Sequence, residues 1–400
     1  MKFIKPAPVF FFLVFCLFSN TMNAQTERFF EEYEKFKQFY ESRLKEAGIV
    51  GGGFAFLKDG KILAREFYGS ADLEKNQAVD ENTIYHWASN TKPFTGIAIM
   101  QLRDRGLLKL DDPAVKYLPE LKKVHNPFGS IEDVTVRHLL NHTAGFRNPT
   151  FPYKKGEAWE PFEPQKYSQI EAMLPFTELL FRPGSRYSYS NLGIVFLGQI
   201  IERLTGDDYE VYVDKNILRP LEMYRSYFDA TPYHLLKHRS HSYYIENGKR
   251  SEGRFDADSG ITVSNSGLNS PLPDMIKYLN FLVGGAEKRE VYEQVLKRSS
   301  LEEMFRPTVA APLDANGNRG FSTDVGLIFF LDKSADGETY IGHGGDQNGF
   351  ISYIEFNPKK RTASVLVFNT NVILPAGAPA EKDVYGKLRK AVRLLHEQFD

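Results

Sequence analysis

The sequence predicts an α+β protein. One antiparallel sheet is built from strands at both ends of the chain and flanked by terminal helices. A large, mainly helical region, at about residues 100–320, lies beside it. Three observations predict this layout. Two strand-like runs joined by Asp59-Gly60 come early, and four more, separated by turns, come late. Between them lies a long helix-rich stretch broken by many Pro and Gly residues. At 400 residues, with 42% apolar and 25% charged, the chain has the proportions of a globular protein and suits one large domain or two ordinary ones.

Taken in order, residues 1–24 read as a secretory signal, leaving residues 25–400 as the folded domain. Lys2 and Lys5 give a positive start, residues 9–18 are unbroken apolar, and Met22-Asn23-Ala24 offers a small residue at the cut. The run is too short to span a bilayer, which takes about twenty apolar residues. Cys16 is preceded by Phe15, where a lipidation signal wants a small residue. Cleavage after Ala24 removes two lysines and the only cysteine, taking the net charge from -1 to about -3. It places the chain in the periplasm or outside the cell. No later segment is apolar and long enough to cross a membrane.

From 26 to 47, Phe29, Phe30, Tyr33, Phe36, Tyr40 and Leu44 recur at helical spacing with Glu and Lys opposite, an amphipathic helix. Residues 49–57 and 61–68 are strands around Lys58-Asp59-Gly60, a hairpin signal. Strands return at 325–331, 340–342, 350–356 and 362–369, with turns at 335–337 and 357–360, and a helix is predicted at 380–399. With Lys plus Arg at 50 and Asp plus Glu at 51, no basic excess exists to neutralise a nucleic-acid backbone. A single cysteine excludes a disulfide framework and cysteine-based metal centres.

Three segments could carry chemistry. In the first, Ser89 and Lys92 stand three apart at the start of a helical run with Pro93 in its first turn. An ammonium beside a hydroxyl can activate it, because a partly desolvated lysine has a depressed pKa and can take the proton. The spacing alone is unspecific: Ser42 and Lys45 match it on a charged surface helix. In the second, Tyr189 and Asn191 precede an apolar helix and could supply a phenol for proton transfer and an amide to hold a carbonyl. The plainer reading is a helix cap by Ser190 or Asn191. Tyr278 and Asn280 repeat the pattern inside an apolar helix, where packing explains them. In the third, Gly342-His343-Gly344-Gly345-Asp346 closes a strand, and its glycines would let a substrate backbone lie close to the sheet edge.

The order Ser89-x-x-Lys92, Tyr189-x-Asn191, His343-Gly344-Gly345 resembles the three-motif pattern of the serine β-lactamase-like, penicillin-recognising hydrolases. The branch it is most similar to contains the class C β-lactamases, DD-peptidases and related esterases. Residues 134–145 (VTVRHLLNHTAG) resemble that branch's loop ahead of its cleft. The likeness runs from about residue 49 to 371.

The resemblance implies that Ser89 is the nucleophile and forms an acyl-enzyme, and that Lys92 is the general base or shares that work with Tyr189. Asn191 would bind the acyl-side amide and His343 would close the proton network from the strand. Gly344 and Gly345 would line the substrate's path, and the amides of Ser89 and Asp346 would form the oxyanion hole. No metal or cofactor is implied. The partner is a small-molecule, peptide or peptidoglycan-derived substrate.

Two departures stand out. His343-Gly344-Gly345 replaces Lys-Thr-Gly, so a permanent cation becomes a group expected to titrate near neutral pH, and a carboxylate-binding hydroxyl is lost. A charge-assisted hydrogen bond of that kind is worth about 1.5–3 kcal/mol. Both losses move the expectation from β-lactamase toward peptidase or carboxylesterase. Asp346 also places an anion beside the oxyanion hole, tolerable where it faces solvent or is paired.

Among weaker constellations, His234, His238 and His241 could share a helix face, but Lys237 and Arg239 among them favour a solvated basic surface over metal. His138 and His142 read as loop-fixing hydrogen-bonders, and Trp87 and Trp159 as packing or cleft-lining aromatics. The contrasting reading is a binding protein that is acylated slowly or only holds peptidoglycan fragments. Substrate choice is expected to reside in residues 148–173 and 228–260.

Overall fold

The computed structural model describes residues 10–146, 164–255, 259–311, 322–334, 337–375, 378–379 and 382–400, with side chains from residue 24 onward. Two compact units emerge: residues 49–373, and a terminal unit of residues 1–48 with 374–400.

The larger unit is built on a nine-stranded antiparallel sheet. Its order is Gln77–Ala78, Lys61–Asp72, Gly51–Lys58, Thr362–Phe368, Phe350–Asn357, Thr339–Gln347, Phe330–Lys333, Asp324–Val325 and Val309–Ala310. The early hairpin forms where the sequence places it, because Asp59 and Gly60 adopt the positive φ values, 52° and 82°, that a tight two-residue turn demands. The join between chain ends is also as expected: Gly52 to Lys58 pair with Phe368 to Thr362. All seven residues of Thr362–Phe368 are buried, which explains their near-continuous apolar character. The helix Leu272–Val283 packs on these central strands.

Two details differ from the expectation. Residues 325–331 are not one strand: the chain breaks between Val325 and Phe330, where Ile328 takes a left-handed φ of 71°. The strand expected at 340–342 runs from Thr339 to Gln347, so the His-Gly-Gly run lies within it rather than beyond its end.

The middle of the chain is helical but not only so. Long buried helices, Lys92–Asp104 and Asn191–Thr205, pack together. Two small three-stranded sheets interrupt the pattern. One joins Ile84–His86, Leu268–Pro271 and Tyr227–Phe228. The other joins Thr370–Ile373, Tyr243–Glu246 and Lys249–Glu252, with a parallel pairing between the first two. Such short, sequence-distant strands carry no periodicity of their own.

In the terminal unit, the helix Phe10–Ala47 packs against Val384–His396. Phe29 stacks within 5.5 Å of Phe399, and Gln25 donates to Asp400. The C-terminal helix starts at Val384, later than expected, because Asp383 is its cap and accepts the Gly386 N–H. The first helix is continuous in backbone through residue 24, so no helix break marks the predicted cut.

Candidate active site

The segment bearing Ser89 is fastened on several sides. Strand Ile84–His86 pairs with Leu268–Pro271, and the Trp87 N–H extends that ladder to the Leu268 carbonyl at 2.8 Å. The buried Trp87 indole donates to the Ser270 carbonyl. Ala88 then takes a left-handed φ of 49°, costing an L-residue about 1–2 kcal/mol. Thr91 Oγ1 secures the turn, donating to the Ala88 carbonyl at 2.7 Å and accepting the Leu268 N–H at 3.0 Å.

Ser89 lies in a 3₁₀ turn, Ala88–Thr91, which feeds the α-helix Lys92–Asp104. Three residues per turn bring side chains i and i+3 into line. Lys92 Nζ is accordingly 2.8 Å from Ser89 Oγ, and its other partner is the Asn265 carbonyl at 2.9 Å. Ser89 is half-buried, whereas Lys92 has no exposed surface. Burial pushes the Lys92 pKa well below the ordinary lysine value.

Tyr189 reaches the same point from the loop before helix Asn191–Thr205. Its phenol is hydrogen-bonded to Ser89, and its ring lies 4.9 Å from Lys92 Nζ. Desolvation pushes the phenol's pKa above its usual value, so it stays protonated at neutral pH. The helix cap is Ser190, whose Oγ accepts the Gly193 N–H at 3.1 Å. Asn191 is thereby spared, and its buried Oδ1 has no hydrogen-bond partner.

Strand Thr339–Gln347 closes the opposite side. A Cβ on Gly345 would stand 2.2 Å from the Trp87 carbonyl oxygen, so this strand is laid directly on the turn that carries Ser89. Gly344 is looser, with the Tyr353 ring 3.2 Å from a Cβ there. His343 is 4% exposed, its Nδ1 2.7 Å from the Gly344 carbonyl and its ring against Phe330 at 5.2 Å. Burial, and then the proximity of Lys92, push its pKa down to about 3. The expectation of a group titrating near neutral pH is therefore corrected: in this dry setting His343 is neutral. Asp346 is exposed as a residue and its carboxylate accepts from Asn371 Nδ2 at 2.7 Å, while partial desolvation of the carboxyl group raises its pKa, which opposes its charge beside an oxyanion.

Ser89, Lys92, Tyr189 and His343 thus converge from three distant stretches of chain, with Asn191 and Gly345 adjoining. The fold adds His142 to the group. It holds a left-handed φ of 58°, and its ring lies 4.5 Å from that of Tyr189. Its carbonyl accepts the Ser188 N–H at 2.8 Å and its Nδ1 accepts the Ser190 N–H at 3.2 Å. It does fix a loop, but that loop is the one carrying Tyr189. The only sequence signal was its place in the stretch 134–145.

Other candidates fall elsewhere. His138 caps a short helix through Thr135, and Tyr278 is core, stacked on Phe94 at 4.2 Å. Ser42 and Lys45 are exposed. His238 ends a 3₁₀ helix while His241, beyond it, stacks on Phe255, so the three histidines share no helix face. Trp159 and most of residues 148–173 lie outside the described residues. A separate cavity of about 520 Å³, lined by residues including Phe281, Tyr292, Arg298 and Arg361, contains none of the site residues.

The comparisons with known proteins agree with this architecture. Residues 36–384 match the Beta-lactamase family model, and the chain belongs to that family. It has the β-lactamase/transpeptidase-like fold. Among curated relatives, Protein flp of Staphylococcus aureus (strain COL) is 27% identical over 331 residues, 83% of this chain and 62% of that protein. The chain thus spans less than two thirds of that relative's length. Esterase EstB of Burkholderia gladioli is 32% identical over 191 residues, 46% of this chain and 48% of the esterase. Among solved structures, the octameric penicillin-binding protein homologue from Pyrococcus abyssi superimposes with a TM-score of 0.73 at 28% identity, covering 91% of this chain and 77% of that one. A class C β-lactamase gives 0.69 at 21%, covering 89% and 96%, a likeness of fold.

Proposed function

We propose that this protein is an exported serine hydrolase that cleaves an amide or ester through an acyl-enzyme on Ser89, with peptidase- or esterase-like selectivity. The observation that carries the reading is the 2.8 Å contact between Ser89 Oγ and the fully buried Lys92 Nζ. A neutral Lys92 takes the hydroxyl proton as Oγ attacks the carbonyl carbon. Tyr189, whose pKa is raised, acts as a donor: its O–H passes a proton to the leaving group and recovers one through Lys92. The backbone amides of Ser89 and Asp346 stabilise the oxyanion, and Asn191 holds the acyl-side amide. Water then hydrolyses the ester on Ser89 with Lys92 again as base.

The neutral His343 and the missing Lys-Thr-Gly hydroxyl support peptidase or esterase over β-lactamase activity, because neither offers a charge to a β-lactam carboxylate. Intact-mass spectrometry tests the reading, using a fluorophosphonate, a penicillin and a p-nitrophenyl ester with wild type and Ser89→Ala. Labelling and ester turnover that vanish in Ser89→Ala, with little penicillin reaction, are expected. A persistent penicilloyl adduct would point to a penicillin-binding peptidase, rapid penicillin turnover to a β-lactamase, and no adduct to a binding protein. Export with cleavage after Ala24 is checked by the N-terminus of protein recovered from the envelope or medium; an intact Met1 there overturns it.

A further inference from the structure

The cavity of about 520 Å³ among helices Leu272–Val283, Arg289–Val295 and Arg298–Met304 plays no part in the chemistry at Ser89. Its size is ordinary for a small-molecule site, about 300–1,000 Å³. Two of its walls follow from helical spacing. Arg289, Tyr292 and Glu293 stand at i, i+3 and i+4 on one helix, and Arg298, Leu301 and Glu302 repeat the spacing on the next. Buried Phe281, Val283, Leu296 and Leu301 give the lining its apolar surface.

Most polar groups of the lining are engaged with one another. Arg298 donates to the Leu282 carbonyl at 2.7 Å and to Glu302 at 2.9 Å. Gly284 makes room for it, since a Cβ there would lie 3.1 Å from Arg298 Nη1. Arg361 is held by Asp59. Glu293 accepts from the Arg298 backbone N–H at 3.3 Å and makes no ion pair with Arg289, four residues before it. Arg289 itself has no hydrogen bond or ion pair among the described residues, and the Tyr292 hydroxyl likewise has no hydrogen-bond partner among them.

We propose that this cavity is a second ligand site, separate from Ser89, for a single-chain fatty acid. The carboxylate meets the Arg289 guanidinium and the Tyr292 O–H, and the chain lies on Phe281, Val283, Leu296 and Leu301. A guanidinium with no carboxylate of its own suits an anion, and its planar fork matches a carboxylate. Glu293 and Glu302 in the same lining oppose a second negative charge, which disfavours a phosphate dianion. A peptide is disfavoured because each N–H and C=O it buries needs a partner, and the lining has few polar groups to spare. An alkyl chain needs none. The proposal stands independently of the hydrolase reading.

Two measurements decide it. In the first, decanoate below its micellar concentration is titrated into the full chain by calorimetry, with decanol and acetate as probes lacking the charge or the chain. Saturable binding of decanoate is expected, with each control at least about tenfold weaker. Arg289→Gln alters an exposed residue with no partner to lose, so the urea midpoint should hold while decanoate affinity falls about tenfold or more and decanol affinity stays the same. No saturable binding, decanol binding as tightly as decanoate, or equal decanoate affinity in Arg289→Gln would each overturn the proposal. In the second, a diazirine-bearing decanoate is photolysed on the protein and the labelled peptides are mapped by mass spectrometry. Label within residues 281–302 is expected. Label confined to the segments carrying Ser89, Tyr189 or His343 would make the fatty acid a ligand of the catalytic cleft, sinking the cavity site and leaving the hydrolase reading intact.

Discussion

Gly345→Ala is the most demanding perturbation of the site's construction, because the added methyl touches no proposed reacting group. Its Cβ would lie 2.2 Å from the Trp87 carbonyl oxygen and 2.6 Å from Ser352 Oγ. Neither neighbour can yield. The Trp87 peptide is tied to Leu268 and its indole to Ser270, while Ser352 Oγ accepts from buried Asn90 at 2.8 Å. Relief to an ordinary contact therefore means separating the strand from the Ser89 turn by about 1 Å. Overpacking of this kind costs about 1–3 kcal/mol, and a 1 Å misplacement of reacting groups can cost about 100-fold in rate. Hydrolysis of a p-nitrophenyl ester should fall about 100-fold in kcat, with a matching loss of stability in urea. Gly344→Ala is the control: its Cβ meets the Tyr353 ring at 3.2 Å and the Ser352 carbonyl oxygen only at an ordinary 3.7 Å, and a loss of less than about threefold is expected. Wild-type kcat and an unchanged urea midpoint in Gly345→Ala would show that the strand does not bear on the turn as described.

Three further outcomes follow from the buried titratable groups. Lys92→Met should cost about 10²–10⁴-fold in ester hydrolysis, and the wild-type kcat/KM should rise with pH along a limb well below the ordinary lysine value of 10.5. The sign follows from the neutral amine being the active form, and a limb at or above pH 10 would refute it. His142→Ala removes the wall against Tyr189 and leaves the Ser190 N–H unmatched, so kcat should drop about tenfold or more. His142→Asn, which tolerates the left-handed φ of 58°, should recover part of it in the same assay, and equal rates in both variants would argue against the positioning role. His86, buried between Asn269 and Gln347, is pushed down to about 4, chiefly by burial. The unfolded chain therefore binds the extra proton between pH 6.5 and 4, so stability is full above 6.5 and falls by up to about 3 kcal/mol as the pH drops to 4. Urea melts across that range should slope less steeply in His86→Gln, and parallel slopes would contradict the assignment.

Much of the fold is legible in the sequence because its signals are local. Asp59-Gly60 names its own turn, and the strand Thr362–Phe368 reads as an apolar run because all of it is buried. The two small sheets are not legible. Tyr227–Phe228 is two residues long, and Leu268–Pro271 is a strand because that pair and Ile84–His86, about 185 residues earlier in the chain, lie against it. The left-handed Ile328 splits a run that periodicity alone reads as continuous, since nothing in an Ile residue announces a positive φ.

The site divides along the same line. Residue types and their order are visible in Ser89, Lys92, Tyr189, Asn191 and His343, but their protonation states are not, because those depend on what covers them. His343 is the clearest instance. Its side chain suggests a switch near neutral pH, and only its burial beside Lys92 turns it into a permanently neutral acceptor. The consequence returns to Lys92, whose pKa is lowered by desolvation with no second cation to assist. A lysine in place of His343 would add charge repulsion to that lowering; here dryness alone supplies the base. The chemistry at Ser89 is consequently tied to the packing of Tyr189, His142 and the His-Gly-Gly strand around the amine, and any substitution that admits water there should raise the Lys92 pKa before it disturbs the 2.8 Å contact with Ser89.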